Sequence, residues 1–279
     1  PRRTILTMAA DCTEQSGAGR QWGSVTPSKV GGKSLPVGRG DAEVDSTVWL
    51  MQSTIATLLG AGVVGYLIGS ISGARLVARW TGTSALGSTT VVLDGTGTAV
   101  EAHGVSPSSM QARLGARAGL VAGSIDILKA LVPTLVARLV FPDSPEAVVV
   151  AAAVLVGHVY PLYYRFIGGY GISPLLGGLV ILDWRAPLFA IALFALIGLI
   201  VGNAFLAIES WPLALIPWFA WQGSAWLVAY AVLANVIYWW RSHREAIAAY
   251  QSFRHDKRPW RQRVADFKKY PDYEVPERS

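Results

Sequence analysis

Between about Val48 and Trp240 the chain is a succession of apolar runs separated by short polar breaks. A helix needs about 20 apolar residues to cross roughly 30 Å of hydrocarbon, and several of these runs approach or exceed that length. Charge is sparse. Only 15% of the residues are Asp, Glu, Lys or Arg, against about 25% in an ordinary soluble domain. With a mean hydropathy of +0.39, these features predict an all-α integral membrane protein with polar tails. Seven transmembrane helices are expected, at about 48–77, 118–140, 146–161, 174–182, 187–208, 213–219 and 226–240. The fourth and sixth are too short to cross unaided, so some are expected to be short or re-entrant.

Residues 1–47 are polar, follow no sustained period and are expected to be disordered. No secretory signal is recognisable before residue 48. Residues 48–240 form the expected membrane domain. Residues 241–279 carry ten Lys or Arg and six Asp or Glu, which reads as a basic cytoplasmic tail. Tyr238-Trp239-Trp240 borders it as an aromatic belt does, and the eleven Trp residues fit the membrane–water interface. An odd number of crossings then leaves the N terminus outside and gathers Arg75, Arg79, Arg113 and Arg117 on the cytoplasmic side. The excess of 24 basic over 18 acidic residues points to an anionic lipid surface as partner and not to nucleic acid. The single Cys12 excludes an intrachain disulfide framework and gives no metal cluster.

Three polar interruptions stand out. Residues 157–174 run Gly-His-Val-Tyr-Pro-Leu-Tyr-Tyr-Arg-Phe-Ile-Gly-Gly-Tyr-Gly-Ile-Ser-Pro. Non-helical backbone at membrane depth is tolerated only where protein covers it or where it lines a wet cavity, so this stretch is expected to meet a polar ligand. Residues 80–116 form a long polar loop. Its second half holds Ser106, Ser108, Ser109 and Arg113, whose hydroxyls and guanidinium suit phosphate oxygens, although an ordinary surface loop has the same composition. In the second span, Asp126 and Lys129 are three residues apart and so share a helix face. Ionisable groups are expensive in a membrane and face the bundle interior; the pair reads either as a structural ion pair or as a ligand-binding lysine oriented by the aspartate.

Four segments, in order, resemble the bacterial acyl-phosphate:glycerol-3-phosphate acyltransferase family, the PlsY type. They are Gly65-Tyr-Leu-Ile-Gly-Ser-Ile-Ser72; Leu114-Gly-Ala-Arg-Ala-Gly-Leu120 with Asp126-Ile-Leu-Lys-Ala-Leu-Val-Pro133; Gly157-His-Val-Tyr-Pro161 with Phe166-Ile-Gly-Gly-Tyr-Gly171; and His243-Arg-Glu-Ala-Ile247. Together they cover roughly residues 51–250. The resemblance implies a multi-pass enzyme of the cell membrane with seven spans and its active site on the cytoplasmic face. It would move a fatty acyl group from acyl phosphate to the 1-hydroxyl of glycerol 3-phosphate, making lysophosphatidic acid, with no metal and no cofactor. Acyl phosphate, glycerol 3-phosphate and membrane lipids are the implied partners.

Matched position by position, Ser70 and His158 would be the catalytic pair, contacting and orienting substrate. Lys129 would hold a phosphate, with Asp126 orienting it. Gly168, Gly169 and Gly171 would let backbone amides approach phosphate oxygens. Ser106, Ser108, Ser109 and Arg113 lie near the family's serine- and asparagine-containing phosphate segment. The sequence departs from the pattern in three places: Ile167 and Tyr170 stand where the family carries lysines in the glycine loop, Pro174 stands where it carries a threonine, and Gly104-Val-Ser-Pro-Ser-Ser-Met110 has no counterpart of its asparagines. Arg165 is the nearest cation in sequence. A relative that keeps the fold but only binds a phospholipid or acyl-phosphate ligand is the alternative. A transporter would be expected to show an inverted repeat, which this sequence lacks.

Overall fold

In a computed structural model of the protein, residues 39–83, 89–93, 98–102, 105–142 and 144–267 are described, with side chains from Thr54 onward except in the 89–102 segment. The chain divides into units 1–46 and 47–279; the second carries all that follows. Of residues 1–47, expected to be disordered, 1–38 lie outside the described residues, as does the last part of the tail, 268–279; 39–47 are helical, against that expectation.

Helix α1 (Arg39–Gly69) is separated from the amphipathic α2 (Gly73–Trp80) by a break at Ser70–Ser72. The run expected as one span is therefore two helices. Ser72 makes the break by capping: its hydroxyl accepts the amide of Arg75 at 3.4 Å, which satisfies an orphan donor of the new helix. Two strands follow, β1 (Thr89–Leu93) and β2 (Thr98–Ala102), antiparallel with Thr89 opposite Ala102 and Leu93 opposite Thr98. Helix α3 (Pro107–Leu114) comes next, with Pro107 in its first turn and a reciprocal Ser106–Ser109 capping box. The polar loop expected over 80–116 thus contains a hairpin and a helix.

The membrane part is built on α4 (Ala116–Val140), which packs against α2, α3, α5 (Glu146–Val159) and α6 (Ile172–Leu182). Helix α7 (Arg185–Val201) stops at Gly202, whose φ is +68°, and Asn203 caps α8 (Ala204–Ser210) by accepting the Leu206 amide at 2.9 Å. The span expected at 187–208 is broken there. A 3-10 turn at Trp211–Ala214 leads to α9 (Leu215–Trp221). Helix α10 (Ala225–His255) does not end at the aromatic belt but continues through Trp240 into the charged region, and α11 (Trp260–Phe267) folds back on α7. There the Trp260 indole donates to the Ile200 carbonyl at 2.9 Å.

Among the described residues, four segments are long and apolar enough to cross a membrane: 54–80, 116–140, 146–164 and 204–221. Helices α6 and α7 are shorter and equally apolar. Leu59, Leu120, Leu139, Ile200 and Val236 point outward, as side chains solvated by lipid do. The largest core joins α5, α6, α9 and α10 through Leu155, Leu179, Phe219 and Tyr230. Glu209 ties α8 to α10, accepting hydrogen bonds from Tyr238 Oη at 3.0 Å and Ser242 Oγ at 2.8 Å.

Helix α5 crosses α1 at Gly157. A Cβ there would stand 2.3 Å from the Tyr66 carbonyl oxygen and 3.0 Å from the Ser70 amide. Lipid supplies little driving force between helices, so close backbone approach through small residues does much of the packing. Gly157→Leu is expected to destabilise the detergent-solubilised protein by at least about 1–3 kcal/mol, the usual cost of overpacking. Gly60→Ala, whose added Cβ meets nothing within 4 Å, is expected to leave the melting temperature unchanged. Equal melting of the two variants would refute the Gly157 contact.

Candidate active site

Three ionisable side chains meet in the interior beneath the α1–α2 break. Asp126 and Lys129 lie on one face of α4, as their spacing requires, and His158 sits in the last turn of α5. All three are buried, Asp126 completely. The Lys129 ammonium donates to Asp126 Oδ1 at 2.8 Å, to the Ile71 carbonyl at 2.5 Å and to His158 Nδ1 at 2.9 Å. Those three acceptors use its three N–H donors. Asp126 Oδ1 also accepts the Gly73 amide at 3.0 Å, which fixes the start of α2 to α4. Asp126 Oδ2 is buried without a partner among the described residues.

An ammonium donating to Nδ1 leaves a neutral imidazole with its proton on Nε2. That nitrogen faces the glycine loop: a Cβ added at Gly169 would fall 2.4 Å from it. The missing side chain at 169 is therefore what lets the loop close over His158, and the Gly169 amide donates to the His158 carbonyl at 3.3 Å. Gly168 is as close, its virtual Cβ 2.1 Å from the same carbonyl. Gly171, at φ +94°, is the left-handed residue that starts α6. Ser70 lies fully buried at the α1–α2 break. Its hydroxyl donates to the Tyr66 carbonyl at 2.9 Å and accepts the Leu162 amide at 3.2 Å.

Ser70, Asp126, Lys129, His158, Gly168 and Gly169 are thus brought together. The α3 serines are occupied with one another: Ser109 Oγ donates to the Ser106 carbonyl at 2.7 Å, and the Ser106 and Ser108 hydroxyls are 2.8 Å apart. They form the cap of α3, and Arg113 lies half-buried in its last turn. Arg165 is exposed in a left-handed turn, with φ +52°. Among the described residues no group of three or more His, Cys, Asp or Glu is placed to hold a metal.

A sequence profile described as glycerol-3-phosphate acyltransferase matches residues 59–252. The chain belongs to this family. Relatives called glycerol-3-phosphate acyltransferase in Pseudomonas putida (strain W619) and Pseudomonas aeruginosa (strain LESB58) are 32% and 33% identical over 178 residues, which is 63% of this chain and 88% of theirs. The fold resembles two crystal structures of PlsY, an integral membrane glycerol 3-phosphate acyltransferase. The lysophosphatidic acid form superposes with a TM-score of 0.59 at 23% identity, over 75% of this chain and 98% of that one. The glycerol 3-phosphate form gives 0.58 at 24%, over 72% and 96%. The protein is accordingly a multi-pass membrane member of the family.

Several contacts of this family member's site have no signature in the sequence. Arg75 Nη2 donates to the Ile167 carbonyl at 2.9 Å, with its guanidinium 4.4 Å from the Tyr164 ring centroid. Arg241 Nη2 donates to the Gly168 carbonyl at 3.2 Å, and Tyr66 Oη donates to the Tyr160 carbonyl at 2.8 Å. Tyr170 Oη donates to Glu245 at 2.8 Å. Each joins residues more than seventy positions apart, beyond the reach of any spacing rule.

Removing one partner of a buried ion pair costs about 3–5 kcal/mol, because the other charge is left without compensation. Asp126→Asn should therefore lower thermal stability by an amount in that range. Asp126→Leu combined with Lys129→Met should recover most of it, since apolar replacements for a buried pair are often neutral or stabilising. A double variant that melts no higher than Asp126→Asn would show that the charge pair is not what the fold depends on here.

Proposed function

We propose that this protein transfers a fatty acyl group from acyl phosphate to the 1-hydroxyl of glycerol 3-phosphate, giving lysophosphatidic acid. The observation that carries the reading is where Lys129 lies. Besides belonging to the polar knot, it lines a cleft of about 700 Å³ between α1, α4 and α5, whose other walls include Gly60, Val64, Val132, Pro133 and Val136. An almost wholly apolar cleft with a buried cation in its wall matches a substrate with a hydrocarbon chain and a charged, reactive head.

The chemistry asks for positioning more than for a strong nucleophile. The glycerol oxygen bonds to the acyl carbonyl carbon, the acyl–phosphate C–O bond breaks, and the departing phosphate can take the hydroxyl proton. Holding the two reactants in line removes much of the entropic barrier. Donors aimed at the developing oxyanion lower it further. In this reading His158 Nε2–H and the amides of Gly168 and Gly171 are those donors, and Ser70 fixes the 157–171 stretch over the knot. Lys129 supplies positive potential from below, and Arg113 with Ser106, Ser108 and Ser109 borders the same face. The chain crosses the membrane seven times, with this face in the cytoplasm where the soluble acceptor is found.

A second reading is a catalytically silent relative that binds a phospholipid or acyl-phosphate ligand. The absence of lysine at Ile167 and Tyr170 favours it. Purified protein supplied with acyl phosphate and glycerol 3-phosphate is expected to form lysophosphatidic acid. Ser70→Ala is expected to abolish turnover in a protein that still purifies as a folded species, and Lys129→Ala to abolish it in a protein destabilised by about 3–5 kcal/mol. Folded wild-type protein that forms no product above background would sink the acyltransferase reading and leave the binding protein.

A further inference from the structure

We propose that Arg75 and Arg241 form the phosphate-binding cations of this site, replacing from two neighbouring helices the charge absent from the loop at Ile167 and Tyr170. The proposal deepens the reading above and rests on it for the identity of the ligand, a phosphate monoester. The two guanidiniums come from α2 and α10, far apart in sequence, and reach the carbonyls of consecutive residues, Ile167 and Gly168. They therefore bracket one turn of the glycine loop. Left-handed backbone at Arg165 and Phe166, with φ +52° and +61°, shapes the chain just ahead of that turn.

Each guanidinium spends one donor on the loop and has others left. Arg75 Nε and Arg241 Nε are both buried and have no hydrogen-bond partner among the described residues. Neither arginine is within ion-pair distance of a described carboxylate. The acids that might have neutralised them are engaged elsewhere. Asp126 is held by Lys129 and by the Gly73 amide. Glu245, one helical turn beyond Arg241, accepts from Tyr170. Tyr170, one of the two residues standing in place of a lysine, thus engages the acid one turn beyond Arg241.

A half-buried guanidinium whose Nε is cut off from water and which has no counter-charge carries a desolvation cost. A dianionic phosphate monoester supplies both the charge and the acceptors, and guanidinium groups suit it because their planar N–H pairs match its oxygens. The Lys129 ammonium cannot do this in the arrangement seen, since its three donors are committed to protein acceptors. Stacking on Tyr164 and the bond to Ile167 hold the Arg75 guanidinium in place before the ligand arrives, which reduces the ordering cost of binding.

The test measures binding apart from turnover. Detergent-solubilised protein is titrated calorimetrically with glycerol 3-phosphate, inorganic phosphate and glycerol. Wild type is expected to bind the first two and not glycerol. Arg75→Gln and Arg241→Gln are each expected to weaken phosphate binding by about tenfold or more, as the loss of a charge-assisted hydrogen bond implies. The double variant is expected to show no binding. Ile167→Lys introduced into Arg75→Gln is expected to restore affinity. The Arg75→Lys/Arg241→Lys protein, which keeps both charges, is expected to retain measurable binding, so that loss of charge is separated from loss of fold.

In the turnover assay, KM for glycerol 3-phosphate rising alone would assign the cations to the acceptor's phosphate. KM for acyl phosphate rising alone would assign them to the donor's; either result supports the proposal. A folded Arg75→Gln/Arg241→Gln protein that binds glycerol 3-phosphate as wild type does, or a wild type that binds no phosphate, would overturn it. Wild type that binds phosphate through both arginines but forms no lysophosphatidic acid would sustain the proposal and remove the acyltransferase reading.

Discussion

The structure depends on one buried charge pair. Asp126 and Lys129 sit in the interior of an otherwise apolar bundle, and neither is tolerable there alone. Satisfying them draws in the rest of the site. The ammonium needs three acceptors and takes them from α4 itself, from the Ile71 carbonyl in the α1–α2 break and from His158 on α5. The carboxylate takes the Gly73 amide at the start of α2. The interruption of the first helix at Ser70–Ser72 is thus part of the same electrostatic solution: it frees a carbonyl and an amide that an unbroken helix would have kept for itself.

The glycine loop is held above this knot by contacts that run mostly through backbone. Ser70 holds the Leu162 amide, Tyr66 the Tyr160 carbonyl, and His158 the Gly169 amide. Such contacts are insensitive to which side chains the loop carries, provided that Gly168 and Gly169 stay small enough for the imidazole beneath them. The frame therefore does not require basic side chains at Ile167 and Tyr170.

Much of this was legible in the sequence, and what was not has physical reasons. The apolar runs located α4, α5 and α6 closely, because in lipid, length and hydropathy largely decide what is helical. The i, i+3 spacing put Asp126 and Lys129 on one face, and the glycines at 168–171 marked the tight turn. Breaks inside apolar runs were harder to see. Hydropathy does not register a single left-handed glycine, so the run from 187 to 208 read as one span although Gly202 and Asn203 divide it. Charge misled at both ends of the polar regions. The good helix formers after Trp240 read as a tail, yet α10 runs on to His255, with Glu245 placed one turn beyond Arg241. The polar composition of 80–116 hid two β-branched runs, Thr89–Leu93 and Thr98–Ala102, on either side of Asp94-Gly95, a pairing that signals a hairpin. Arg75 was visible only as a marker of the cytoplasmic side, since nothing local tells that its guanidinium ends at Ile167.

That last point bears on how a binding site can change its residues and keep its chemistry. A phosphate responds to the position of positive charge and of N–H donors, not to the chain segment that supplies them. A lysine on the loop moves with the loop. An arginine rooted in a helix and stacked on Tyr164 is fixed by the bundle, and its planar fork loses less freedom per hydrogen bond formed. Charge carried on α2 and α10 leaves Ile167 and Tyr170 free for other contacts, and Tyr170 holds Glu245. In the proposed arrangement the uncharged loop side chains and the two arginines at the loop's carbonyls form one solution: the cations stand on rigid elements, and the glycine backbone they serve carries no charge of its own.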